Sequence, residues 1–139
     1  MNLHKALSNE GGVNMGENIV RLFWECIHNA DFDGLNKIMS DGACIRLPNT
    51  KEIFKSKNKY IEFNKKYPGR WYVDLEKVYE CETTFISVAK VFNAENTISI
   101  YVTSFFKFKN NLIEEIIEYY SDNGEPPKWR LEENLSERY

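Results

Sequence analysis

The chain has 139 residues, enough for one hydrophobic core and hardly for two. A hydrophobic fraction of 42% at a net charge of −3 excludes disorder along the whole chain and offers no bulk attraction to nucleic acid. No apolar run reaches the roughly 18 residues of a membrane span, and no basic segment followed by an apolar stretch opens the chain, so the cytoplasm is the expected compartment. Cys26, Cys44 and Cys81 are odd in number and lack CxxC spacing, which predicts reduced thiols rather than a disulfide framework or zinc site. His4 and His28 are the two histidines, so no metal and no cofactor is expected.

Residues 1–16 carry little periodicity and read as a flexible leader. From Glu17 to Ala30, Ile19, Val20, Leu22, Phe23, Trp24, Cys26 and Ile27 recur at spacings of three and four, which predicts an amphipathic helix with a broad buried face. Asp31 or Asp33 caps a short second helix through Met39, with Asp41-Gly42 as its stop, and Ala43 to Leu47 reads as a short strand ended by Pro48. Ser56 caps a third helix over about 57–66, with Tyr60, Ile61 and Phe63 on its apolar face and Pro68-Gly69 as its break.

The remainder is mostly strand. Trp71, Val73 and Leu75 alternate and the pattern then shifts to Val78, which predicts a bulge near Glu76-Lys77. Strands follow over 84–92, 97–109 and 112–120, joined by connections short enough for antiparallel hairpins. In the 97–109 segment, Ile98, Ile100, Val102, Ser104, Phe106 and Phe108 form one face, and five of those six are hydrophobic. Helices followed by a long meander predict an α+β domain. Pro126-Pro127 then leads to Trp129, expected to anchor the chain end, and to a charged tail over 131–139.

The segments NADFDGL, DGACIRLPN, YPGRW and EYYSDNGEPPKWR, in that order and spacing, resemble the nuclear transport factor 2-like superfamily in its SnoaL-like and ketosteroid-isomerase-like branch. The resemblance covers about residues 17–130. It implies a cone-like curved antiparallel sheet with three N-terminal helices packed on its concave face, an apolar pocket inside the cone, and a homodimer through the outer sheet face. Tyr101, Phe105 and Tyr119 would form that outer patch.

The same resemblance tests the chemistry. The positions that carry the ketosteroid isomerases' oxyanion hole and base correspond to Phe23, Ser104 and Leu47, none of which can take its counterpart's role. Glu118 is the remaining candidate. In the family's register Leu112, Glu114, Ile116, Glu118 and Tyr120 face the cone, and a carboxylate buried there would have a raised pKa and serve as acid or base. The alternative is a core glutamate hydrogen bonded to Trp24, Ser104 or a tyrosine. The expected pocket wall comprises Phe23, Trp24 and Ile27 of the first helix, Leu47, the strand residues Val102, Ser104 and Phe106, and Tyr120.

Two functions are therefore open: binding of a small hydrophobic molecule as an accessory protein without ketosteroid isomerase activity, or an enzyme using Glu118 in isomerisation, cyclisation or hydration of a small carbonyl compound. The basic stretch Lys51, Lys55, Lys57, Lys59, Lys65, Lys66 and Arg70 reads as a solvated face, with neither nucleic acid nor membrane as partner.

Overall fold

A computed structural model describes residues 14–139. Helix α1 (Met15–Asn29) starts two residues before the expected Glu17, because Asn14 accepts a hydrogen bond from the Gly16 N–H and caps it. The rest of the expected leader, residues 1–13, lies outside the described residues. Ala30 ends the helix in the left-handed region at φ 52°. The buried stripe is Ile19, Val20, Leu22, Phe23, Trp24 and Cys26.

Helix α2 (Phe32–Ile38), capped by Asp31, runs straight into strand β1 (Met39–Leu47). The strand begins four residues earlier than the sequence suggests. Met39 is buried and pairs with Ile113, and the pairing shifts between Met39 and Cys44, so Asp41-Gly42 lies within a strand irregularity rather than at a stop. A three-residue strand β2 (Glu52–Phe54) folds back on β1 and is too short to leave a periodic signal. Helix α3 (Lys57–Lys66) follows its Ser56 cap and buries Tyr60 and Ile61.

The meander comprises β3 (Trp71–Cys81), β4 (Thr84–Asn93), β5 (Ser99–Lys109) and β6 (Leu112–Asp122). The β3 bulge falls between Leu75 and Lys77, at the predicted place. Asn110 and Asn111, at φ 52° and 62°, close the two-residue β5–β6 hairpin. The strands form one curved, unclosed sheet in the order β2-β1-β6-β5-β4-β3, with the helices packed against it. The chain is thus α+β, as its sequence indicates.

Two details of the sheet differ from expectation. The β1–β6 pair is parallel, while every other pair is antiparallel. Parallel neighbours need a long crossover, and here it is the entire segment from β2 to β5. The β6 register also changes. A shift between Lys107 and Phe108 places Glu114 at a bulge, so Ile113 rather than Leu112 or Glu114 is buried, and the expected alternation holds from Ile116 through Glu118 to Tyr120.

The core lies between α1, α2 and the concave face, with Phe23, Leu35, Ile45, Phe106, Ile113 and Ile116 at its centre. A short helix α4 (Lys128–Glu133) buries none of its residues, and Trp129 is 63% exposed rather than anchored on the domain. No helix among the described residues is long and apolar enough to cross a membrane.

Candidate functional site

A cavity of about 550 Å³ opens between the concave face of the sheet, the C-terminal half of α1 and helix α3. This volume is in the range that takes a small organic molecule. Trp24, Ile27, Leu47, Val102, Tyr120 and Glu118, all singled out in the sequence, lie on its wall. Phe23, Ser104 and Phe106 do not. They are completely buried behind the wall, where Phe23 packs edge-on against Trp24 (ring centroids 5.0 Å apart) and Phe106 (5.2 Å) and stacks on Tyr60 at 6.4 Å.

Glu118 is the chemical centre of this wall. Strand alternation turns it inward from β6, leaving it 7% exposed, and the Tyr60 hydroxyl donates to its Oε1 at 2.5 Å. Burial pushes the Glu118 carboxyl from 4.5 up to about 7, against the opposing pull of that hydrogen bond. Tyr60 is itself held well above the usual phenol range, by burial first and then by the neighbouring carboxylate. The phenol therefore remains a donor, and Glu118 is the group that titrates near neutrality. No protein donor among the described residues meets the second oxygen, Oε2.

A polar row runs across the sheet beside this pair. Ser87, Ser104 and Glu118 are successive cross-strand partners on β4, β5 and β6. Trp24 Nε1 donates to Ser87 Oγ at 2.9 Å, whereas Ser104 Oγ is buried with no hydrogen-bond partner among the described residues. Glu118 thus has the tyrosine partner that the sequence allowed for, supplied by α3. Tyr60 was legible only as a buried helical aromatic; its need for a hydroxyl partner was the available signal, and that partner is 58 residues away.

The mouth carries groups whose role the sequence did not show. Lys65, Arg70 and Trp71 line it together with Tyr67 and Ile98, the latter exposed at 54% rather than facing the core. The basic stretch divides: Lys57 is bound to the Asn36 and Met39 carbonyls and to Asp41, Lys66 pairs with Glu62, and Lys65 and Arg70 turn to the cavity. His28 is structural. Its Nδ1 accepts from the Val73 N–H at 3.0 Å and ties α1 to β3. Among the described residues no group of three or more His, Cys, Asp or Glu side chains is placed to hold a metal ion.

The six-stranded cone with its helices on one face is shared with known structures. One, from Kribbella flavida and described as a candidate ketosteroid isomerase, is 18% identical, with 89% of each chain covered and a TM-score of 0.77. The chain has the nuclear transport factor 2-like fold. A second protein of that fold, of unknown function, from Burkholderia xenovorans, is 19% identical over 89% of this chain and 94% of its own, with a TM-score of 0.72. A candidate SnoaL-like polyketide cyclase from a Jannaschia species is 14% identical over 76% and 85%, with a TM-score of 0.67. No protein-family model and no curated protein matches the sequence. At these identities the likeness concerns the nuclear transport factor 2-like fold alone.

Proposed function

We propose that the cone binds a small, largely apolar molecule and that Glu118 moves a proton to or from it. The observation that carries this reading is the buried Glu118 carboxyl, raised to about 7 and fixed through one oxygen by Tyr60, on the wall of a mainly apolar cavity. An acid near pH 7 exists in both forms under physiological conditions. Its proton is therefore available for a carbonyl or enol ligand, and its ionised form can accept one. This supports isomerisation, cyclisation or hydration of a carbonyl compound.

Binding without turnover is the second reading, supported by Phe23, Leu47 and Ser104 at the positions where the isomerases carry functional groups. One experiment separates the two. β-Tetralone, an apolar ketone with exchangeable α-hydrogens, should quench the fluorescence of Trp24 and Trp71 on binding, and its α-deuterium exchange should run on the order of 100-fold above buffer. Glu118→Gln, nearly isosteric, should bind the ketone and lose the acceleration. Binding with no acceleration in the wild type would leave the accessory reading. A β,γ-unsaturated ketosteroid should not be isomerised above buffer, because Phe23 offers no hydroxyl and Leu47 no base.

The outer sheet face supports a homodimer. Tyr101 and Tyr119 are 43% and 48% exposed, and Phe105 packs edge-on against Tyr119 at 5.9 Å. Phe105→Lys should halve the mass measured by light scattering at micromolar concentration and keep the circular dichroism of the wild type; a wild-type monomer mass would reject the dimer. Three free thiols, at Cys26, Cys44 and Cys81, support the cytoplasm as the proposed location.

A further inference from the structure

Arg70 lines the cavity and is only half buried, yet its guanidinium is fixed from three directions. It donates to the Trp71 carbonyl, donates to the His28 carbonyl at 2.5 Å in the last turn of α1, and lies over the Tyr72 ring at 4.4 Å. Among the described residues no carboxylate lies within ion-pair distance of it. Carbonyls and an aromatic face occupy part of a guanidinium without cancelling its charge, and of its five N–H donors three remain after these two bonds. Lys65 adds a second positive charge to the same cavity, its Nζ 5.9 Å from the Phe32 ring centroid. The acids at the mouth, Glu52 and Asp122, belong to the strands β2 and β6, whereas the cations belong to α3 and the loop after it.

We propose that Arg70, assisted by Lys65, binds an anionic group, so that the molecule taken up is an amphiphilic monocarboxylate with an apolar body along Trp24, Ile27 and Val102. The carboxylate belongs at Arg70 because a planar, preorganised fork matches its two oxygens. It does not belong beside Glu118, where a second negative charge in an apolar wall would be repelled. Glu118 is left free to act on a reactive group in the body of the molecule. The inference rests on the cavity being a site for apolar ligands and adds the chemistry of one end.

Decanoate and decanol share an alkyl chain and differ in that end. Titrated at pH 8 against the fluorescence of Trp24 and Trp71, decanoate should bind the wild type about tenfold more tightly than decanol, as one charge-assisted contact permits. Arg70→Met should bring the two affinities together; Lys65→Met should reduce the ratio by less, and Arg70→Lys should keep part of it. The ratio is read within each variant after its thermal transition is verified, so loss of Arg70's own bonds to Trp71 and His28 cannot imitate the effect. Equal affinities in the wild type, or an undiminished ratio in Arg70→Met, would overturn the anion site and leave the apolar cavity standing. Failure of both molecules to bind would overturn the cavity reading with it.

Discussion

Glu118→Gln should flatten the pH dependence of stability between about pH 4.5 and pH 8. In the wild type the carboxyl is raised from 4.5 to about 7 by burial. Across that interval the folded protein keeps a proton that the unfolded chain has released, so the stabilisation is complete at acid pH. It is lost as pH rises, and the curve levels above about pH 7. A displacement of this size corresponds to roughly 3 kcal/mol, or about 10 °C in melting temperature for a domain of this length. The glutamine variant has no proton to hold. Its stability relative to wild type should therefore increase from pH 5 to pH 8 by about that amount, measured by thermal or urea unfolding at each pH. Parallel curves for the two proteins would show that Glu118 is solvated in the fold and has no raised pKa. The same titration bears on function, because an acid that ionises near pH 7 sets the acid limb of any rate profile that depends on its carboxylate form.

Phe23→Ala should cost about 3–5 kcal/mol, a large share of the roughly 5–15 kcal/mol that holds a domain together. Phe23 is completely buried and contacts three aromatic side chains: Trp24 and Phe106 meet it edge-on, and Tyr60 stacks against it. Truncation removes the transfer energy of the ring and leaves a void that the surrounding strands cannot close. It also removes the platform behind Tyr60, so the hydrogen bond that fixes Glu118 should loosen. Urea unfolding should show a lower midpoint at unchanged slope, and Phe23→Leu, which keeps more of the volume, should lose clearly less. A loss under 1 kcal/mol would mean that the site collapses readily and that the aromatic cluster is not the rigid support of the cavity.

What the sequence determined by itself follows from strict local periodicity. The alternation through Ile100, Val102, Ser104 and Phe106 specifies which face of β5 is buried, because a slip of one residue would exchange Ser104 and Val102 for Thr103 and Tyr101. The three- and four-residue spacing of α1, the Ser56 cap and the shift after Leu75 are equally local, and each is seen in the fold. Glu118 was legible only through the register that the family resemblance implied, because alternation along β6 by itself also allows Ile117 and Tyr119 to face inward. Other features depend on residues distant in the chain. The parallel β1–β6 pair joins residues some 70 positions apart, with Arg46 beside Ile117, and no pattern within either strand records it. The Glu114 bulge moves Ile113 inward only because β5 supplies the partner that requires it. The tertiary structure alone decided that Tyr60, one turn into a helix that reads as ordinary core, would place its hydroxyl on Glu118, and that Arg70, one cation among several in a basic stretch, would be fixed beside a mainly apolar cavity with no carboxylate of the described residues at ion-pair distance. A hydrogen bond or an unmatched charge belongs to a pair of distant residues, whereas periodicity belongs to one segment.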